Sequence, residues 1–297
     1  MKRLSIAALL FFMAFSVLGQ EKSTYTYAVK DGDSLKLDVY IPQNATSSQK
    51  FPAVIWMHGG GFAGGRRDVG DELKLMNYLS SNGYVGISIS YRLLRKGKKT
   101  GFGCDCSKDE KLNVFKQAAL DYLEASKFVF ERHSEFKIDK NKIIAGGSSA
   151  GAESVLNAVY MTSYFMENPE EFDSVKFAGV MSLAGALVNI NYLTEENALP
   201  TVLFHGTADN LVPYASAPHH YCTPNKPGYL MLDGSETIVK KLRELGKSYY
   251  FHTEIDGHHG LSSIPFESLD AVMGFFEKTM GQTNTFQSTF TIQPKKQ

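Results

Sequence analysis

Residues 147–151 read Gly-Ser-Ser-Ala-Gly and place Ser149 at the centre of a G-x-S-x-G pattern. An apolar run ends just before the pattern, at Ala145, and residues 152–158 after it have the composition of a helix. A strand, a tight turn and a helix in this order form a nucleophile elbow, in which glycines allow close backbone approach and a serine oxygen stands at the top of a sheet. The pentapeptide alone is a weak signal, so Ser149 needs partners elsewhere in the chain.

The second motif is the run His-Gly-Gly-Gly at residues 58–61, which follows the apolar segment 51–57. Glycines at the end of a strand can present backbone N–H groups with no side chain in the way. Such donors stabilise an oxygen that becomes negative in a tetrahedral intermediate. This stretch is the most specific motif in the chain and predicts an oxyanion hole.

A serine hydroxyl becomes a good nucleophile only when a base removes its proton, and the base is usually a histidine oriented by a carboxylate. Asp209 closes the stretch His-Gly-Thr-Ala-Asp after one predicted strand, and His258 and His259 follow the last predicted strand. The doubled histidine leaves the base open. We favour His259, because a glycine and an apolar residue follow it, although Gly257 before His258 points the other way.

With these motifs, the chain resembles the α/β-hydrolase esterases that carry an H-G-G-G motif, namely the hormone-sensitive-lipase-like and type-B carboxylesterases and the related acetyl-xylan and feruloyl esterases. The resemblance spans about residues 25–280. It implies that Ser149 is the nucleophile and Asp209 the orienting acid, and that the chain needs no cofactor or metal. The implied oxyanion donors are the backbone N–H groups of Gly60, Gly61 and Ala150. Ser148 departs from the family, which often has an acidic residue there.

The hydrophobic pattern supplies the elements that would position these residues. A starting hairpin is followed by alternating strands and helices, which predicts an α/β fold with an eight-stranded, mostly parallel sheet and helices on both faces. Ligands of such folds bind at the carboxyl ends of the strands. Each candidate residue follows a predicted strand, so the candidates should meet at one edge of the sheet.

The chain divides into three predicted parts. Residues 1–19 have a basic start and an apolar stretch, which is typical of a secretory signal peptide and predicts a secreted or periplasmic protein. Residues 20–281 form the predicted catalytic domain, and residues 282–297 a polar, frayed C-terminal tail. The formal net charge of zero argues against a nucleic-acid partner, and no membrane contact is expected after signal cleavage. The oligomeric state stays open.

Export makes a disulfide the default for the cysteines, although three is an odd number. Cys222 lies in an insertion at residues 210–233, and Cys104 and Cys106 lie in an earlier loop. We expect Cys222 to pair with one of the other two and to hold the insertion over the site as a lid. His219 and His220 are expected to be exposed loop residues rather than part of a zinc site.

These observations predict a serine hydrolase that cleaves carboxylic esters through an acyl-enzyme, on small-molecule substrates or on acyl esters linked to carbohydrate. Three alternatives stay open: a lipase, a peptidase of the same fold, and a binding protein on an inactive hydrolase scaffold. We expect the insertion not to form a large apolar lid and the chain to have no room for a propeller domain, which disfavours the first two. The third would normally have lost the serine or the histidine.

Overall fold

The computed structural model describes residues 22–43, 45–282 and 284–293 of the 297-residue chain. The predicted signal peptide, residues 1–19, lies outside the described residues. The strands are β1 (Lys22–Lys30), β2 (Asp33–Tyr40), β3 (Phe51–Met57), β4 (Val85–Ile89), β5 (Ile138–Ser148), β6 (Gly179–Leu183), β7 (Ala186–Leu187), β8 (Thr201–Gly206), β9 (Ser216–Pro218), β10 (Met231–Gly234), β11 (Tyr249–Glu254) and β12 (Gln287–Ile292). The helices are α1 (Gly70–Ser81), α2 (Lys108–Glu131), α3 (Ala150–Tyr160), α4 (Thr162–Phe165), α5 (Ser235–Glu244) and α6 (Leu269–Thr279).

Nine strands form the main sheet in the order β1-β2-β4-β3-β5-β6-β8-β11-β12. The pairs from β4 to β12 are parallel, and β2 pairs antiparallel with both β1 and β4. The β1–β2 turn has only two residues, Asp31 and Gly32, and both have positive φ (51° and 86°). An Asp-Gly pair suits this mirror-image turn, so the sequence signal for the hairpin is confirmed.

The alternation of side chains along the central strand β3 divides the core into two layers. Ala53, Ile55 and Met57 belong to the cluster packed under α2, α3 and α5. Val54 and Trp56 belong to the cluster packed under α1 and α6 on the opposite face. Because successive strand residues point to opposite faces, a continuous apolar run indicates a sheet covered on both sides. The predicted α/β architecture is therefore confirmed.

Two features of the sheet correct the sequence predictions. The main sheet has nine strands instead of eight, because β12 adds a parallel edge strand beside β11. Its residues lie in the segment 282–297, which was predicted to be a frayed tail, so the fold extends past residue 281. The side chains of β12 are mostly exposed, and the ring of Phe290 stacks 4.9 Å from that of Tyr250. A strand that buries neither face lacks the hydrophobic signal on which the prediction rested.

The insertion at residues 210–233 has its own structure. Strands β9 and β10 pair antiparallel, and β10 also pairs with β7, which gives a small three-stranded sheet. Helix α2 begins at Lys108, where Ser107 accepts a hydrogen bond from the Glu110 backbone N–H (3.2 Å) and caps the helix. This is the S-x-x-E capping pattern, and it fixes the end of the loop that carries Cys104 and Cys106.

Candidate active site

Ser149 stands alone between the end of β5 and the start of α3, as the elbow prediction requires. Its backbone has φ 51° and ψ −122°, a strained conformation for a residue with a side chain. The flanking glycines are required by space. A Cβ on Gly147 would lie 2.6 Å from the carbonyl carbon of Gly151, and one on Gly151 would lie 2.1 Å from the oxygen of Met57. The sequence of this turn thus explains its shape.

Ser149 is hydrogen-bonded to His259 and, through it, connected to Asp209. Ser149 Oγ lies 2.8 Å from His259 Nε2, and His259 Nδ1 lies 2.7 Å from Asp209 Oδ2. An ionised carboxylate can only accept, so Nδ1 carries the proton and Nε2 is free to accept from the serine hydroxyl. The structure therefore brings together the three side chains from three separate turns, at the carboxyl ends of β5, β8 and β11.

The doubled histidine is resolved by these contacts. His258 is exposed, and its Nδ1 donates to the carbonyl oxygen of Ala208 at 2.8 Å. His259 begins a short 3₁₀ turn that ends at Ser262. Ser148 Oγ donates a hydrogen bond to the backbone oxygen of Ser262 at 2.6 Å. Ser148 therefore holds the histidine turn against the elbow, where relatives often place an acidic residue.

Asp209 is buried, and its carboxylate accepts three hydrogen bonds and lies close to a second imidazole. Oδ1 accepts from the backbone N–H groups of Leu211 (2.9 Å) and Val212 (3.1 Å). Oδ2 faces His259 and also His205, whose Nε2 lies 3.3 Å away. Burial acts to raise the pKa of Asp209, but hydrogen bonds from the two imidazoles outweigh it and hold the pKa well below its usual range. The carboxylate is therefore ionised at every pH at which a histidine can act as a base.

The His-Gly-Gly-Gly turn lies directly against the elbow. A Cβ on Gly59 would lie 3.2 Å from Cβ of Ser149, and Gly60 has a φ of +119° that side chains rarely adopt. His58 is buried and donates from Nδ1 to its neighbour's carbonyl oxygen at 2.7 Å, which stiffens the turn. Among the hydrogen bonds of the described residues, none uses the backbone N–H of Gly60, Gly61 or Ala150. These donors are therefore available to an oxygen atom bound beside Ser149.

Cys222 pairs with Cys104 across a sequence separation of 118 residues, and Cys106 is a buried free thiol. The sequence left both partners open, and the structure selects Cys104. The insertion is also joined to the same loop by two backbone bonds, from Gly228 N to Cys104 O (2.9 Å) and from Lys108 N to Pro227 O (2.8 Å). The disulfide therefore joins two distant segments of the chain that are also held together by backbone hydrogen bonds.

Removal of this disulfide is expected to destabilise the protein substantially. A cross-link over a loop of this length lowers the entropy of the unfolded chain, so the double variant Cys104→Ser/Cys222→Ser should lose about 4–5 kcal/mol of unfolding free energy. Equilibrium urea unfolding measures the difference, and Cys106→Ala, expected to lose about 1 kcal/mol, is the control. Three alkylatable thiols in denatured, unreduced protein would contradict the pairing.

His219 is buried and His220 is half-buried, which contradicts the prediction that both are exposed loop residues. Its ring packs against Phe102 and Phe115, and its Nε2 lies 3.5 Å from Oε1 of Glu153, one turn beyond Ser149 on α3. Lys111 is buried beside them and donates to the oxygen of Gly228 at 2.8 Å. No sequence motif indicates this cluster, because its three members come from segments far apart in the chain.

Glu153 is expected to weaken the fold as the pH rises. Burial, and then the charge of Asp209, raise the pKa of Glu153 well above its ordinary value of 4.5. Above that value the unfolded chain loses the proton while the folded protein keeps it, so stability falls with rising pH. Glu153→Gln lacks this ionisation. We expect its unfolding free energy to exceed that of wild type by an amount that grows from pH ~4 to pH ~8 and reaches at least about 1 kcal/mol, with a matching rise in melting temperature.

Thermal unfolding at several pH values tests this expectation. Glu131→Gln, an exposed glutamate at the end of α2, is the matched control and should show no pH-dependent gain. A Glu153→Gln variant that is destabilised equally at all pH values would show instead that Glu153 is ionised in the folded protein.

Sequence reasoning also missed His205 and Ser235. His205 contacts Asp209, and Ser235 contacts His205. The available signal was the position of His205 within the same five-residue motif as Asp209.

Among the described residues, no group of three or more histidine, cysteine, aspartate or glutamate side chains is arranged to hold a metal ion. The helices in the described ranges also include none with the length and apolar character needed to cross a bilayer.

Comparison with known proteins agrees with this geometry. Phenmedipham hydrolase of Pseudarthrobacter oxydans is 32% identical over 125 residues, which are 42% of this chain and 23% of that protein. The cAMP-regulated D2 protein of Dictyostelium discoideum is 31% identical over 136 residues, 45% of this chain and 23% of that protein. The chain thus spans about a quarter of the length of these curated relatives.

Solved structures extend the likeness to most of the chain. Thermogutta terrifontis esterase 2 phosphorylated by paraoxon has a TM-score of 0.60 at 18% sequence identity. The superposed region covers 86% of this chain and 90% of the esterase chain. The propionate-bound form of the same esterase has a TM-score of 0.58 at 19% identity and covers 88% and 92%. At such identities the likeness establishes the α/β-hydrolase fold. The BD-FAE family matches residues 37–185, about half of the sequence, and the chain therefore belongs to this family of α/β-hydrolase esterases.

Proposed function

We propose that this protein is a serine esterase that hydrolyses carboxylic esters at Ser149. The observation that carries the proposal is the hydrogen-bonded series from Ser149 Oγ through His259 to Asp209, with distances of 2.8 and 2.7 Å. The unbonded N–H groups of Gly60, Gly61 and Ala150 beside it supply the second requirement of acyl transfer. Both parts are needed, because a base alone does not stabilise the developing negative charge.

In the first half of the reaction, Ser149 Oγ attacks the carbonyl carbon of the ester and its proton moves to His259 Nε2. The carbonyl oxygen becomes negative and accepts hydrogen bonds from the three backbone donors. The bond to the alcohol oxygen then breaks, and His259 returns the proton to the leaving alcohol. Asp209 stays ionised throughout and stabilises the imidazolium that forms.

In the second half, a water molecule replaces the alcohol. His259 takes a proton from the water as the water oxygen attacks the acyl-enzyme carbonyl, and the same donors bind the oxyanion. The bond to Ser149 Oγ breaks, the proton returns to the serine, and a carboxylic acid leaves. No further co-reactant is required for this balance of atoms.

We propose small-molecule carboxylic esters as substrates, with acyl groups attached to carbohydrate as the finer expectation. Support for the first comes from relatives named as ester hydrolases, including the liver carboxylesterase of Sus scrofa, 28% identical over 137 residues. Carbohydrate-linked esters are supported only by the resemblance between the motifs of this chain and those of acetyl-xylan and feruloyl esterases.

We propose that the protein is exported to an oxidising compartment. The basic and apolar pattern of residues 1–19 supports a signal peptide. The Cys104–Cys222 pair supports the same conclusion, because disulfides persist mainly outside the reducing cytosol. N-terminal sequencing of the protein recovered from outside the cytoplasm of an expressing cell tests the proposal. A mature chain that still begins at Met1 would contradict it.

Hydrolysis of p-nitrophenyl esters from acetate to palmitate tests the esterase proposal, together with acetylated and aroylated oligosaccharides and a peptide amide. Faster hydrolysis of short-chain esters is expected, with a fluorophosphonate probe labelling Ser149 alone. A preference for emulsified long-chain esters would identify a lipase, and cleavage of the amide a peptidase. Neither turnover nor labelling would favour a binding protein on a hydrolase scaffold.

A further inference from the structure

Asp209 is contacted by a second imidazole that the reaction scheme above does not use. His205, on β8, is completely buried, and its Nε2 lies 3.3 Å from Oδ2 of Asp209, the same oxygen that accepts from His259. It also lies 3.1 Å from the carbonyl oxygen of Val212. A ring nitrogen of each histidine therefore lies within 3.3 Å of one carboxylate oxygen.

The protonation of His205 follows from its neighbours. A carbonyl oxygen and an ionised carboxylate are both acceptors only, so Nε2 must carry a proton. Nδ1 lies 2.8 Å from Oγ of Ser235, a hydroxyl that can donate. With Nδ1 accepting from that hydroxyl, the ring is neutral and every polar atom of it is satisfied. Ser235 thus selects the tautomer in which the Nε2 proton of His205 is donated to the oxygen of Val212, with the same N–H 3.3 Å from Asp209 Oδ2.

The surrounding backbone leaves this arrangement little freedom. Ser235 is fully buried at the first position of α5, and a Cβ on the preceding Gly234 would lie 1.8 Å from the oxygen of Pro213. The turn that follows Asp209 is therefore pressed against the start of α5. On the other side, Thr253 Oγ1 donates to the carbonyl oxygen of His205 at 3.0 Å.

We propose that His205, held in one tautomer by Ser235, is a positioning residue that fixes the Asp209 carboxylate in the orientation required by His259 and disperses part of its charge. This inference rests on the proposed function. A continuous series of polar contacts then runs from Ser149 through His259, Asp209 and His205 to Ser235, so the first residue of α5 acts on the nucleophile through three intervening side chains.

A positioning role makes a distinct prediction for the pH profile. A donor to Oδ2 weakens the ability of that oxygen to stabilise positive charge on His259. Loss of the donor should strengthen that ability and move the acidic limb of kcat/KM to higher pH. Other titratable groups near Asp209 come from the elbow helix and the insertion, and all of them are kept in every variant: Glu153, His219 and His220.

Two substitutions of His205 separate positioning from simple structural support. His205→Leu removes the donor, whereas the amide of His205→Gln can place an N–H where Nε2 stood. We expect His205→Leu to lower kcat about tenfold or more with little change in KM, a loss typical of a residue that orients a functional group. His205→Gln should recover most of the rate. Ser235→Ala should have a smaller effect than His205→Leu, and Thr237→Ala, which loses a surface bond to Ser216, should have none.

NMR titration of the His259 ring protons gives a second measurement that does not depend on turnover. Its midpoint is expected to move to higher pH in His205→Leu and to return in His205→Gln. Equal losses in both variants with an unmoved acidic limb, or full activity of folded His205→Leu, would overturn the proposal. If the wild type hydrolyses no ester but the titration shifts as expected, the esterase proposal fails while the contact between His205 and Asp209 stands.

Discussion

Replacing Ser149 by alanine is expected to lower kcat for p-nitrophenyl acetate by about 10⁴–10⁶-fold, because catalysis that remains without the nucleophile comes only from binding and the oxyanion donors. The fold should be unaffected, since Ser149 lies at a surface turn and its hydroxyl contacts only His259 among the described side chains. Alanine can also adopt the positive φ of the elbow no worse than serine does. Rates under saturating substrate, with matched thermal unfolding curves, give the comparison.

Ser148→Ala is the matched control, because it removes the adjacent hydroxyl of the same turn. Its hydroxyl donates to the backbone oxygen of Ser262 and takes no part in the contact with His259. We expect it to keep activity within about tenfold of wild type, as for loss of one supporting hydrogen bond. A Ser149→Ala variant that remains as active as Ser148→Ala would show that hydrolysis occurs elsewhere.

His259→Ala is expected to cause a loss nearly as large as that of Ser149→Ala, roughly 10⁴–10⁶-fold in kcat, because the nucleophile and its base act as one unit. Without the imidazole, the serine proton has no acceptor at 2.8 Å. The double variant with Ser149→Ala should therefore be little worse than either single variant. Steady-state kinetics of the three proteins measure this non-additivity.

His258→Ala supplies the internal control for this prediction. His258 is adjacent in sequence and exposed, and its Nδ1 donates only to the backbone oxygen of Ala208. We expect its kcat to fall less than about tenfold, in line with the loss of a single hydrogen bond near the surface. A larger loss in His258→Ala than in His259→Ala would assign the base to the other histidine and contradict the geometry.

The local sequence was sufficient to predict those turns whose backbone geometry depends on residues close together in the chain. The elbow is an example, since a Cβ at Gly147 or Gly151 would overlap the backbone, and these constraints are visible as a short motif. The hairpin at Asp31 and Gly32 is a similar case, because Gly32 has a φ of 86°. Both predictions succeeded because glycine, which lacks a Cβ, fits where the backbone is crowded or φ is positive.

Hydrophobic patterning located the buried strands but missed β12 and the small sheet. Residues 287–292 have mostly exposed side chains, so no alternation of buried and polar positions marks them. Their position is set by backbone hydrogen bonds to β11, and these bonds do not require a particular pattern of side chains. The pairs that build β7, β9 and β10 are likewise contacts between distant segments, and β7 has only two residues.

By itself, the sequence determined eight of the nine strands of the main sheet and their order along the chain, the elbow, and the candidate residues Ser149 and Asp209, because these depend on spacing along the chain. Only the tertiary structure decided which histidine meets Ser149, which cysteine meets Cys222, and that His205, Glu153 and His219 surround the site. Residues one or two positions apart, such as His258 and His259 or Cys104 and Cys106, are nearly equivalent in sequence. Their side chains diverge in space, and a hydrogen bond or a disulfide selects between them by differences of a few ångströms.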